Sequence, residues 1–304
     1  MSFRFRDVTL RDGLQLAGKP LPTADKIALV RELFAVGVEE VEIGSMARPD
    51  LVPTLSDTLD VVAALTPEEL SKSWIWVATP RHVERAAAAG ARNFQYCLSA
   101  SDSHNRANIG RDTDTSLAAM PDAVDIARSV GGAVQLCIAT SFTCPFEGIV
   151  PIERVRWILD DERTAGASHV VICDTLGQTD PGEVDRRVAL AARERAEADV
   201  VFHGHDTWGM GVANARAAVD AGASVLDGAL GGLGGCPFAP GASGNTATED
   251  LAFALRPDWL TPDSFRRLVS MGEQVTATLG EPNRSRAADG ARSNARAFPW
   301  VFAE

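Results

Sequence analysis

The chain has 304 residues, 45% hydrophobic and 23% charged, enough to bury one large core or two ordinary ones. Its 41 acidic residues outnumber 29 basic ones, and the net charge of −12 weighs against nucleic acid as a general partner, though not against an anionic substrate met by a local cation. No run of about 18 apolar residues appears, and the N-terminus MSFRFRDVTL lacks a signal peptide's apolar stretch, so a cytoplasmic protein without a membrane partner is expected. Five cysteines, odd in number and without a CxxC pair, point to reduced thiols rather than a disulfide framework. Three of them, Cys97, Cys137 and Cys173, lie inside apolar runs and read as core residues.

In chain order, short β-rich runs alternate with longer helical stretches. The strands are expected at Phe5–Leu10, Glu40–Gly44, Trp74–Ala78, Asn93–Ser99, Ala133–Thr140, His169–Asp174, Val200–Asp206 and Ser224–Gly228. Helical patterns fall at Thr23–Val36, Pro121–Val130, Pro151–Ala165, Gly182–Ala196 and Ala213–Ala221. Four joints repeat a helix–Gly–strand pattern, at AVGVEEVEI, AAGARNFQY, TAGASHVVI and DAGASVLDG, each placing glycine where a left-handed helix cap costs little. Alternating apolar strands and helices imply a parallel sheet covered by helices, and eight such units fit a (β/α)8 TIM barrel better than an open sheet. No GxGxxG follows the first strand, which removes the usual dinucleotide reading. The expected division is a barrel catalytic domain over residues 1–255 and a C-terminal helix and tail over 256–304 packed on it, with Pro262–Leu279 as the helix. The tail from Glu281 is read either as mobile or as docked on a neighbouring subunit, and a homodimer or higher homo-oligomer is expected.

In such a barrel, polar residues at the C-terminal ends of strands line the active site. Those ends carry Arg11-Asp12 after strand 1, Glu42 on strand 2, Asp174 on strand 6 and His203, His205 and Asp206 on strand 7. A glycine-rich run after strand 8 adds Cys236 and Asn245, followed by Glu249. His203 and His205 are two apart on the expected strand, so both imidazoles face one side and can reach one metal ion. Asp12 and Asn245 would complete a mixed nitrogen and oxygen sphere, which by softness suits Mn²⁺, Fe²⁺, Co²⁺ or Zn²⁺, and Mg²⁺ less obviously. Arg11 cannot lose its proton and suits an enolate or carboxylate, while Cys236 could exchange a proton with a carbon acid. The alternatives are a surface salt bridge for Arg11-Asp12, an inert thiol for Cys236, and strand-end ion pairs for Glu42 and Asp174. His82 and His104 read as polar surface or substrate-region residues, His169 as structural, and Ser99–Arg111 as either substrate-contacting or a solvated loop.

TLRDGLQ at Thr9–Gln15, HGHDT at His203–Thr207 and the run from Gly231 to Leu251 together resemble hydroxymethylglutaryl-CoA lyase of the DRE-TIM metallolyase superfamily. The similarity extends through FTCPFEG (Phe142–Gly148) and CDTLG (Cys173–Gly177). The resemblance implies Mg²⁺ or Mn²⁺ held by Asp12, His203, His205 and Asn245, and cleavage of a 3-hydroxyacyl-CoA thioester into acetyl-CoA and a keto acid. It further implies enolate stabilisation by Arg11, proton transfer by Cys236, and supporting acidic roles for Glu42, Asp174 and Glu249. Two departures fall where substrate recognition is expected: Leu16-Ala17-Gly18 replaces the Asn-Glu pair usual after RDGLQ, and Met46 and Arg48 alter the run after strand 2. A longer or more apolar acyl group than hydroxymethylglutaryl is therefore expected. The rivals are a Claisen-type synthase joining acetyl-CoA to a 2-oxo acid, and an aldolase on a free hydroxy-oxo acid.

Overall fold

Eight strands close into a parallel barrel in the computed structural model, which describes residues 3–235, 237–238, 241–293 and 298–302. They are β1 (Arg4–Asp7), β2 (Glu40–Ser45), β3 (Ser73–Val77), β4 (Asn93–Ser99), β5 (Ala133–Ala139), β6 (His169–Asp174), β7 (Asp199–Gly204) and β8 (Val225–Gly228). Neighbours in sequence are neighbours in space, and β1 pairs with β8 to close the ring, Phe5 opposite Leu226 and Asp7 opposite Gly228. The strands are almost wholly buried because helices cover their outer face, which is why they read as continuous apolar runs.

Three expectations need correction in detail. Strand 1 stops at Asp7 rather than Leu10: the Asp7 carboxylate accepts the Thr9 amide at 2.9 Å, and Thr9–Gly13 wind into one π-helical turn. The Val8 carbonyl accepts amides from Arg11, Asp12 and Gly13, so the turn swings Arg11 and Asp12 over the end of the barrel. Strand 7 ends at Gly204, and His205 lies just beyond it in an isolated antiparallel bridge to Asn245. Of the four repeated joints, Gly37, Gly90 and Gly222 have positive φ, but Gly166 does not. Glycine is required there by space: a Cβ on Gly166 would stand 2.7 Å from Val124 Cγ1.

The run Ser99–Arg111 is not a loop. Asp102–Ile109 form a helix, capped by Ser101, whose hydroxyl accepts the His104 amide, and closed by Gly110 at φ 77°. At the other end, Pro262–Leu279 opens with a reciprocal Thr261/Ser264 capping box and buries Phe265, Leu268, Val269, Met271, Val275 and Leu279. The tail's described residues fold back on their own chain. Phe302 donates its amide to the Ala291 carbonyl at 2.9 Å, and the Trp300 ring packs edge-on against Phe265. No helix among the described residues is long and apolar enough to cross a membrane.

Candidate active site

A cavity of about 360 Å³ lies at the C-terminal end of the barrel. Trp76, Cys97, Cys137, Ala139 and Cys173 form its apolar floor, and Leu16, Leu51, Val52 and Leu55 form one wall. The three floor thiols come from adjacent strands, with Cys137 Sγ 3.5 Å from Cys173 Sγ. The bond to Cys137 and then burial push Cys97 well above the ordinary thiol range, and Cys137 and Cys173 are raised as well, so the floor is uncharged.

Arg11, Asp12, His203 and His205 line this cavity together. Ligand atoms of Asp12, His203 and His205 all lie within 4.8 Å of one another, a group that could hold a metal ion. Asp12 Oδ2 is 3.2 Å from His205 Nε2 and 3.9 Å from His203 Nε2. Burial alone would raise the Asp12 carboxyl, but Arg11 and the two histidines hold it well below the usual carboxylate range, so it stands as an anion. Asn245 donates Nδ2–H to Asp12 Oδ2 at 2.8 Å and to the Leu233 carbonyl at 2.9 Å, leaving its own carbonyl oxygen buried without a partner. His205 Nδ1 is likewise buried and unpartnered. An anionic oxygen and two imidazoles around one point are a donor set that a divalent cation takes, while Asn245 turns its amide nitrogen, not its oxygen, to Asp12.

The remaining acidic residues stand behind the cavity rather than in its wall. Glu42 is fully buried, accepts Gln95 Nε2–H at 2.6 Å and lies 3.6 Å from Arg11 Nε. Burial pushes its carboxyl up to about 7 against the pull of Arg11 and Arg6. Asp174 accepts the amides of Gln178 and Thr179, each at 3.2 Å, and so ties the loop beneath His205. Glu249 has both oxygens 3.0 Å from the Gly231 amide and anchors the start of the glycine-rich run. Cys236 lies outside the described residues.

Sequence reasoning passed over Asp227, whereas His104, read as a polar surface or substrate-region residue, lines the cavity. Asp227 Oδ2 is 3.0 Å from His203 Nδ1, and the same carboxylate takes two bonds from the buried guanidinium of Arg6, 2.8 Å at Nε and 2.9 Å at Nη2. With the Asp227 carboxylate as acceptor, Nδ1 of His203 is a donor and the ring is held with Nε2 facing Asp12. The available signal was a carboxylate near the end of the eighth strand, in VLDG, equivalent to the one noted in ICDT. His104 lines the cavity with Nδ1 2.7 Å from Ser99 Oγ, and burial lowers it to about 4, so it is neutral there.

A family model described as HMGL-like matches residues 2–275. A hydroxymethylglutaryl-CoA lyase of Bacillus subtilis is 35% identical over 92% of this chain and 94% of its own. An (R)-citramalyl-CoA lyase of Chloroflexus aurantiacus is 36% identical over 91% of this chain and 90% of its own. Among solved structures, an HMG-CoA lyase from Acinetobacter baumannii, in complex with coenzyme A and 3-methylmalate, superposes with a TM-score of 0.87 at 31% identity, covering 97% of this chain and 96% of that one. The barrel, the site at its C-terminal end and these matches agree: the chain belongs to the HMGL-like family and is a carbon–carbon lyase.

Proposed function

We propose that the chain cleaves a 3-hydroxyacyl-CoA, of the hydroxymethylglutaryl-CoA kind, into acetyl-CoA and a keto acid. The observation that carries this reading is the convergence of Asp12, His203 and His205 beside the fixed cation Arg11 in one cavity. Asp12, His203, His205 and the carbonyl oxygen of Asn245 would hold a divalent cation, Mg²⁺ or Mn²⁺, with Zn²⁺ or Co²⁺ also admitted by the donor set. When bound, that cation acidifies a substrate hydroxyl and offsets developing negative charge.

The bond changes follow from the residues present. The substrate's 3-hydroxyl proton passes to a carboxylate or histidine of the site, and the O–H electron pair becomes the second C–O bond of the product ketone. The C2–C3 bond breaks, and its electron pair moves into the thioester as an enolate. Arg11, which cannot deprotonate, faces that charge. Protonation at C2, with Cys236 supplying or relaying the proton, releases acetyl-CoA.

The wall formed by Leu16, Leu51, Val52 and Leu55 comes from the segments after β1 and β2, where the motifs depart from the lyase pattern. That wall supports an acyl group whose carbinol carbon carries an apolar substituent of methyl size or larger. The test is acetyl-CoA release from a panel of 3-hydroxyacyl-CoAs, with and without chelator. Release that rises with the apolar substituent and stops with chelator is expected. CoA release from acetyl-CoA plus 2-oxo acids, with no thioester cleavage, would instead favour a synthase. Cys236→Ala should cut turnover about 10²- to 10⁴-fold while Mn²⁺ binding persists. Parent turnover in that variant would remove the cysteine from the reaction.

A further inference from the structure

A chain of buried polar side chains crosses the barrel beneath the cavity and joins its two functional halves. Arg6 on β1 holds Asp227, which holds His203. In the other direction Arg6 Nη1 donates to Gln135 Oε1 at 2.6 Å, Gln135 Nε2 donates to Gln95 Oε1 at 2.6 Å, and Gln95 Nε2 donates to Glu42 Oε1 at 2.6 Å. Glu42 then reaches Arg11, its Oε2 3.6 Å from Nε and without another partner. Arg6, Gln135 and Glu42 are fully buried, and Gln95 is 3% exposed.

We propose that Arg6, Gln135 and Gln95 are positioning residues for Arg11, acting through Glu42. This rests on the reading above in which Arg11 stabilises the leaving enolate. The argument is one of polarity. Arg6 can only donate, so the oxygen of Gln135 must face it and the amide nitrogen of Gln135 must face Gln95. Gln95 must then turn its oxygen to Gln135 and its nitrogen to Glu42. Arg6 alone therefore sets the orientation of both amides, and Glu42 in its ionised form, which only accepts, matches it. One oxygen of Glu42 is thereby pinned by Gln95, and the other is left for Arg11. Without that pin, the carboxylate could turn and the guanidinium would lose its fixed direction toward the cavity.

Gln135 is the informative position, because it does not line the cavity and can act only through its neighbours. Gln135→Glu preserves size and keeps an acceptor for Arg6, but it cannot donate to Gln95 and so reverses the polarity of the chain. With a cleavable 3-hydroxyacyl-CoA, Gln135→Glu should lower kcat about 10- to 100-fold, as outer-shell partners of active groups do. KM should stay within about two-fold, because an enolate-directed contact acts in the transition state. Mn²⁺ affinity by calorimetry should be unchanged, since the branch to His203 is intact. Gln135→Met should show the same pattern, and neither change should add to the loss caused by Glu42→Gln. A parent kcat in Gln135→Glu, a loss of Mn²⁺ affinity equal to the loss of kcat, or additivity with Glu42→Gln would each overturn the proposal. Arg11→Gln separates the two levels. If it turns over at the parent rate, the enolate reading itself fails; if it is inactive while Gln135→Glu is not, only the positioning role fails.

Discussion

Asp227 shows how much of the site's order is set by groups that never meet the substrate. It is buried beside Arg6, whose charge, with His203, holds its carboxyl low although burial opposes this. A carboxylate that fixes the tautomer of a ligand imidazole typically contributes 10- to 100-fold in metal affinity. Asp227→Asn should therefore weaken Mn²⁺ binding by roughly that factor in calorimetric titration, and an unchanged affinity would mean that His203 is held by other means. Arg11, Asp12, His203, His205 and Asn245 were read from the sequence because they are polar groups in short motifs at or beyond the ends of apolar strands. Asp227, Gln95 and Gln135 were not, because a polar residue inside an apolar strand looks like an isolated interruption. Only the closed barrel shows that these interruptions share one interior layer.

Among elements, the turn after β1 and the glycine-rich run matter most. The strand periodicity of Phe5–Leu10 continues past the true end of β1, because the π turn keeps Thr9 and Leu10 buried and so keeps their residue types. The Asp102–Ile109 helix was missed for the opposite reason: its sequence DSHNRANI is polar and reads as solvated, although its serine cap and Gly110 were both visible. In the glycine-rich run, Gly234 is there for space and backbone sign. Its φ is 114°, and a Cβ would stand 2.6 Å from Asn245 Nδ2. Gly234→Ala should displace the Asn245 amide from Asp12 and weaken Mn²⁺ binding at least as much as Asn245→Ala. Equal affinity in Gly234→Ala and the parent would show that the amide is free to move without loss.

For the molecule as a whole, the barrel is joined where β1 meets β8, and a buried carboxylate sits at the join. Asp7 accepts Thr248 Oγ1 at 2.6 Å and the Thr9 amide, yet burial outweighs these bonds and pushes its carboxyl from 3.8 up to about 6. The folded state thus binds this proton more tightly than the unfolded chain does. The resulting stabilisation is complete below about pH 4 and is withdrawn as pH rises through about 6, by roughly 3 kcal/mol. Asp7→Asn has no such proton to lose. The Tm of Asp7→Asn relative to the parent should therefore climb between about pH 4 and 6; a constant difference across that range would show that Asp7 ionises normally.

The proposed metal ligands straddle the same join. Asn245 bonds Asp12 across 233 residues of chain, and His205 meets Asp12 across 193. During synthesis Asp12 emerges first and Asn245 among the last parts of the barrel, so the ion has no complete pocket until the final strand has been delivered and seated. If those residues hold the ion, its capture would act as a latch on a finished ring, favouring the closed chain in proportion to free metal and leaving every partial chain without that support. Acquisition of catalytic competence and completion of the fold would then be one event.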